Sequence, residues 1–540
     1  MRGYTWAMNF SDLRADLIGT DAVIRTPFGD RRVTYADYVA SGRALHSVEE
    51  RVRTLALPLY ANTHTEDSAT GAHSTHLTHQ AAGYIKAQLG GDQTCKLVFC
   101  GSGSTAAVRR MQDILGISVP AEHRGAVEAA LRPEQRPVVF VGPYEHHSNE
   151  VSWRETLAEV VELPLCPSGG LDLDALKRAL KAPEYAGRPK IGSFSAASNV
   201  TGLLTDTRTV ARMLHAHGAF AFFDFAASGP YVKIDMKPGQ PDGYDAVFLS
   251  PHKFAGGPGA PGLLCFQEHL YHLKVPSTAG GGTVRYVSPR RHAYIDDIET
   301  REDAGTPAIL GKIRAALAFR VKEALGTVAL TDREHELFGR ALARFQANPR
   351  LQLLGNPDAP RLAFLSFLVR APGGEYLHPR LVVRLLNDLF GIQARGGCAC
   401  AGPYGHSLLG IDDAHSERYF QCILSDLEGV KPGWTRLNLA PWITDEEADF
   451  ILDAVEFVAE HGERFVGQYE FDWHTGAWTH PDDVAPLDLF GEARPATAGG
   501  EVPYAAYLEE ARALVQALPA GHASRPRPES VPQDLVFFAH

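Results

Sequence analysis

Between about residue 90 and residue 270, short apolar runs alternate with amphipathic segments whose apolar positions recur at helical spacing. The runs read as strands at Lys96 to Cys100, Pro137 to Val141, Ile191 to Ser195, Ala219 to Phe223, Ala246 to Leu249 and Leu263 to Phe266. Helices fall between them, for instance over Thr105 to Leu115 and Thr207 to His217. This alternation predicts an α/β domain built on a largely parallel sheet.

Beyond about residue 330 the order changes. A helix is followed by a strand around Leu362 to Val369, a helix from His378 to Phe390, the glycine-rich "ARGGCACAGPYG", and then "GWTRLNLAPW" and "TDEEADFILDAVEFVAEHG". That order predicts a smaller α+β domain. The stretch Ala401 to Lys431 is long for a connection and reads as an insertion. The last sixty or so residues are rich in Pro, Ala and Gly, with one helix expected over Tyr504 to Leu518. They are expected to wrap the surface, with "GHASRPRPES" mobile. The division expected is an N-terminal segment 1–35, a large domain 36–325, a small domain 326–470 and a C-terminal extension 471–540.

A chain of 540 residues exceeds one compact core, which agrees with more than one domain. Its 52 Lys and Arg against 64 Asp and Glu give a net charge of -12, which repels a phosphate backbone and argues against a nucleic-acid partner. "MRGYTWAMNF" lacks the basic and apolar regions of a secretory signal, and no apolar run approaches membrane-spanning length. A cytoplasmic protein with no membrane partner is therefore expected. Seven cysteines, an odd and scattered set, do not form a disulfide framework.

In open parallel sheets, ligands bind beyond the carboxyl ends of the strands. After the first strand comes "GSGST", where Ser104 and Thr105 open a helix and free backbone N–H groups favour a phosphate, although a plain helix cap is the commoner meaning. After the second comes "PYEHHSNE", with His146, and after the third "AASNVTG", with Asn199, either of which alone reads as a loop residue. Asp224 follows five apolar or small residues and is costly to bury without a cationic partner. After the Ala246 strand comes "SPHKF", with Ser250, His252 and Lys253. A lysine there is most often solvated, but in a water-poor pocket its pKa falls and it can join an aldehyde as a Schiff base. Anion cradle, acid, ring-stacking histidine and amine are together the parts that bind pyridoxal 5'-phosphate.

The cysteine stretch has three readings: a metal knuckle, a structural thiol pair, or a loop presenting a nucleophile. Zinc knuckles space their cysteines two to four residues apart and need a second ligand pair, so Cys398 and Cys400 suit that reading poorly. His73, His76 and His79 would share a helix face, but a loop leading into a helix start is the simpler reading, and no metal is expected.

These motifs resemble the class V (fold type I) pyridoxal-phosphate-dependent enzymes, and within them the cysteine desulfurases and selenocysteine lyases. The resemblance is carried by "EHHSN", the Asp-x-Ala of "DFA", "SPHK", "GGGTV", "AGTP" and the arginine of "TRLNLAPW", and runs from "YADYVASG" near residue 35 to about residue 460. It implies a mostly parallel seven-stranded sheet, with Lys253 holding the cofactor aldehyde, Asp224 pairing with the ring nitrogen and His146 stacking on the ring. It places Ser104, Thr105, Ser250 and His252 around the phosphate, Thr306 in the partner subunit's site of a homodimer, and Asn199 near the cofactor oxygen. Arg436 would hold the substrate carboxylate and Arg395 would assist beside the cysteine loop, its charge favouring the thiolate. Cys400 falls at the position of the nucleophile that takes sulfur as a persulfide. Where desulfurases commonly carry a glutamine after the ring-nitrogen acid, this chain has Ala227, with Ser228 or Asn199 as substitutes. The "GCAC" doublet is similar to that of molybdenum cofactor sulfurases.

The resemblance implies a desulfurase that converts L-cysteine, or a related thiol or selenol amino acid, to alanine and passes sulfur to an acceptor protein. The alternatives are a class V aminotransferase or other lyase whose cysteine loop is only a lid, and a non-catalytic sulfur-handling scaffold.

Overall fold

All six apolar runs become strands of one sheet in the computed structural model, which describes residues 8–519 and 527–540. They are β1 (Cys95–Cys100), β2 (Val138–Val141), β4 (Lys190–Ser195), β5 (Ala219–Asp224), β6 (Ala246–Leu249) and β7 (Gly262–Gln267), and β3 (Glu159–Glu162) completes the set. The order is β1-β7-β6-β5-β4-β2-β3. Neighbours from β6 to β3 are parallel, and β7 is antiparallel to both β6 and β1. β3 has no apolar run to announce it, because an edge strand reading Glu-Val-Val-Glu keeps its charged ends in water.

Alternate residues of each strand enter two different cores. Val138, Phe140 and Phe223 join one cluster, while Val139, Val141 and Phe222 join the other. Burial on both faces is why these strands read as unbroken apolar runs. The first cluster is closed by Val210, Ala211 and Leu214 of a helix over Thr207–His215, the second by Ala107, Val108, Met111 and Ile114 of helix α1 (Gly103–Ile114).

The chain divides into two compact units. One comprises Met1–Asp16, Ala40–Ser198 and Leu203–Thr331, and the other Leu17–Val39, Asn199–Gly202 and Asp332–His540. The second therefore takes in two short stretches, 17–39 and 199–202, from far upstream. Its sheet contains β8 (Leu351–Leu353), β9 (Phe364–Val369), β10 (Arg395–Gly397) and β11 (Trp434–Asn438), in the order β8-β9-β11-β10 and antiparallel throughout. Between β10 and β11 the expected insertion forms helices α2 (Gly402–Leu409) and α3 (Asp413–Leu424).

The C-terminal residues depart from the expected surface wrapping. Val531, Leu535 and Phe538 are fully buried. Val531 and Leu535 pack with Tyr419, Cys422, Leu427 and Val430 of the insertion, where Arg418 forks onto Asp534. Phe538–Ala539 pairs in parallel with Tyr376–Leu377, and the Phe538 ring meets His378 at 4.5 Å. The apolar "VPQDLVFF" carries this burial, which the Pro and Gly content of the preceding residues obscures. The first six residues of "GHASRPRPES" and the first seven of "MRGYTWAMNF" lie outside the described residues.

His73, His76 and His79 lie on a helix over Ala69–Gln88, where His73 donates from Nε2 to the Leu55 carbonyl at 2.8 Å. Among the described residues no cluster of His, Cys, Asp or Glu is placed to hold a metal ion, and no helix is long and apolar enough to cross a membrane.

The tail and insertion should stand or fall together. Leu535→Ala is expected to lower stability by about 2–5 kcal/mol, read from denaturant unfolding, and to speed hydrogen exchange over residues 402–430. Unchanged exchange there would contradict the clamp.

Candidate active site

In the first unit, candidate residues collect at the carboxyl ends of β5 and β6 and at the start of α1. Asp224, the last residue of β5, is buried, and its Oδ1 accepts the Ala226 N–H at 2.9 Å. Burial pushes its pKa up from 3.8 to about 6, opposed by the Ala226 hydrogen bond and by the positive charge of Lys253. Ser250 follows β6 directly, and a short turn over Pro251–Lys253 brings the lysine back. The chain at Gly42 presses on that turn. Its N–H donates to the His252 carbonyl at 2.9 Å, and a Cβ there would fall 1.9 Å from the Phe254 oxygen.

The start of α1 meets the same turn. Gly103 has φ 57°, and a Cβ on it would stand 2.8 Å from His252 Cε1 and 2.9 Å from Ser250 Oγ. Only glycine fits that approach. The Ser104 N–H donates to Ser250 Oγ at 2.9 Å, and Thr105 Oγ1 lies 2.6 Å from Ser148 Oγ. Ser148 in turn donates its N–H to His146 Nδ1 at 3.1 Å, which puts the proton of a neutral His146 ring on Nε2. Burial, with Lys253 alongside, lowers the His252 pKa to about 4, so this imidazole is neutral at pH 7. Ser104, Thr105, His146, Ser250, His252 and Lys253 are thus brought into one linked neighbourhood. Thr306 is exposed in the loop ahead of a helix over Ile309–Leu325.

Glu145 is a residue whose part the sequence reading missed. Fully buried, it accepts the Ser195 N–H at 2.9 Å, the Ser195 hydroxyl at 2.6 Å and the Asn149 amide at 2.7 Å. Burial raises its pKa to about 7, and the nearby Asp224 pushes the same way. It fixes the backbone on which His146 stands. Its only sequence signal was an acid directly before two histidines.

In the second unit, Arg436 of β11 and Arg395 of β10 stand directly opposite each other across the strand pair. Arg436 is buried, which lowers its pKa, and donates from Nη1 to the Asn199 carbonyl at 2.8 Å and from Nη2 to Asp37 Oδ1 at 3.1 Å. Arg395 donates from Nε to Asp37 Oδ2 at 3.0 Å. The Asn199 amide donates to the Ala399 carbonyl at 2.7 Å, so Asn199 touches the cysteine loop and the arginine at once. Ala399 and Cys400 have φ of 49° and 57°, a left-handed conformation uncommon for side-chain-bearing residues. Cys400 is exposed and Cys398 half-buried. Asp37 was also missed, because nothing local marks a partner some 400 residues away.

Pyridoxal phosphate suits the residues of the first unit. A helix start, a serine hydroxyl and a neutral imidazole suit an anion, and Lys253 supplies an amine. The buried Asp224 calls for the positive charge that a protonated ring nitrogen carries. Ser228 Oγ is buried without a hydrogen-bond partner, beside the buried Ala227.

The aminotransferase class V family model matches residues 34–416, and the chain belongs to this pyridoxal-phosphate-dependent family. A probable cysteine desulfurase of Halalkalibacterium halodurans is 28% identical over 299 residues, covering 55% of this chain and 69% of that protein. One from Staphylococcus aureus is 30% identical over 274 residues, covering 50% of this chain and 62% of that protein, less than two thirds of its length. Among solved structures, a cysteine desulfurase of Thermococcus onnurineus superposes with TM-score 0.65 at 21% identity, covering 83% of this chain and 97% of the other. One from Escherichia coli gives 0.63 at 22%, covering 83% and 98%. At these identities the superpositions establish the fold.

The burial of Asp224 has a measurable cost without cofactor. With the folded pKa raised, its contribution is fully present below about pH 3.8 and is lost as pH rises through about 6, on the order of 3 kcal/mol in all. Asp224→Asn is therefore expected to make the cofactor-free protein more stable at pH 7 and to leave it unchanged at pH 3.5, by denaturant unfolding. A less stable variant at pH 7 would contradict this electrostatic account.

Proposed function

We propose that this chain is a cysteine desulfurase that removes sulfur from L-cysteine or a related thiol or selenol amino acid, giving alanine. The observation that carries this reading is the exposed Cys400 in its strained loop, tied through Asn199 to Arg436. Exposure suits a thiol that must reach a substrate and then an acceptor, which a structural thiol would not need.

Pyridoxal phosphate, when bound, supplies an electron sink conjugated to the substrate's α-carbon. The chain's residues do the rest. Lys253 would hold the cofactor aldehyde and move the proton at the substrate's α-carbon, Asp224 would keep the ring nitrogen charged, and His146 would stack on the ring. Ser104, Thr105, Ser250 and His252 would hold the phosphate, and Ser228 would stand in for the missing glutamine. Arg436, with Arg395 beside it, holds the substrate carboxylate. Cys400 attacks the substrate sulfur as a thiolate. A sulfur–sulfur bond forms, the carbon–sulfur bond breaks, and Cys400–SH plus cysteine becomes Cys400–S–SH plus alanine.

The exposed Thr306 suits a homodimer in which it serves the other subunit. Seven free cysteines suit a reducing cytoplasm, where a protein thiol is the fitting acceptor of the sulfur.

Purified enzyme given L-cysteine and a reductant is expected to release alanine and sulfide in equal amounts. Cys400→Ala should lose sulfide release by at least about a hundredfold, and Lys253→Ala should lose both products. Amino transfer to a 2-oxo acid with Cys400→Ala fully active would favour the lid reading instead.

A further inference from the structure

Two arginines face each other on β10 and β11, and like charges directly opposite across a strand pair repel. Arg436 is also buried, and a buried cation needs a counter-charge. One side chain meets both demands. Asp37, on the stretch 17–39 that the second unit draws from upstream, gives Oδ1 to Arg436 and Oδ2 to Arg395, and is itself almost fully buried.

The donor count at Arg436 shows what this leaves. Nη1 is committed to the Asn199 carbonyl and Nη2 to Asp37, while Nε is buried with no hydrogen-bond partner. A buried, unpaired guanidinium N–H is a costly group unless something arrives to accept from it. The two fixed bonds leave the guanidinium plane no freedom to turn, so Nε and the remaining N–H groups are aimed before any ligand comes. Held in this way, Arg436 can take a carboxylate in a planar two-pronged contact without first losing rotamer freedom.

We propose that Asp37 is the positioning residue of the substrate arginine, bridging Arg395 and Arg436 so that the buried guanidinium presents Nε to the amino-acid carboxylate. The bridge also ties substrate binding to the cysteine loop, because Arg395 opens the strand that leads through Gly396 and Gly397 to Cys398 and Cys400. It rests on the reading of Arg436 as the carboxylate holder, and its test separates the two.

The measurement is steady-state sulfide release from L-cysteine by the holoenzyme, with thermal melting and cofactor absorbance as checks on folding. Arg436→Met should raise KM strongly, and an unchanged KM there would remove the carboxylate-holder reading and this proposal with it. Asp37→Asn should raise KM about tenfold, the loss of one charge-assisted contact, with a smaller change in kcat. Asp37→Glu should recover most of that loss. In Asp37→Asn/Arg395→Met, KM should rise by less than the product of the two single effects, because both changes break the same bridge. A raised KM in Arg436→Met with an unchanged KM in Asp37→Asn would overturn the proposal and leave the desulfurase reading in place. So would a loss of melting temperature and cofactor content in Asp37→Asn with KM unaltered, because Asp37 would then be a structural counter-ion only. Should Asp37→Asn not fold, Arg395→Met decides. It is expected to raise KM, and an unshifted value would overturn the bridge.

Discussion

A carboxylate held out of water at the end of the central strand sets the terms for the first unit. Asp224 is the last residue of β5, with three strands on either side in the sheet order, and it pairs with Ser195 of β4 and Phe248 of β6. Its charge is tolerable only where a positive charge stands opposite. Lys253 supplies part of that compensation, and in the proposed site a ring nitrogen that holds a proton would supply more. Affinity for such a ring and the cost of the bare site are therefore one interaction seen from two sides. Glu145, a second buried acid, adds to the negative potential and uses its hydrogen bonds to pin the loop carrying His146.

The second unit repeats this logic with the opposite sign. Arg436 is a buried cation, and Asp37, Asn199 and Arg395 are disposed around it. The same Asn199 holds the Ala399 carbonyl, so the left-handed turn at Ala399 and Cys400 is secured from outside the loop rather than by its own sequence. Downstream, α2 and α3 are clamped by Val531, Leu535 and Asp534 of the tail. The cysteine loop is thus flexible in composition but fixed at both ends.

Much of this was legible in the residues. Strands buried on both faces write themselves as unbroken apolar runs, and chemistry at a strand's end is found by reading one or two residues further. Asp224, Ser250, His252 and Lys253 are read that way as candidates, and the structure sets them at the ends of β5 and β6. The edge strand β3 escaped because half of its residues are glutamates facing water. Asp37 and the tail escaped for a different reason. Their partners are more than a hundred residues away, and neither periodicity nor spacing records which distant carboxylate meets which arginine. Asn199 is a candidate from the residues alone, but its hold on the cysteine loop came only with the fold.

That the chain carries sulfur on the loop cysteine is the claim on which the chemistry turns. The direct test is peptide mass spectrometry of the holoenzyme after brief exposure to L-cysteine, with persulfides trapped by alkylation. One added sulfur atom on the Cys400 peptide, removed by reductant, is the predicted result. Sulfur on Cys398 with Cys400 unmodified, or on neither while alanine accumulates, would contradict it.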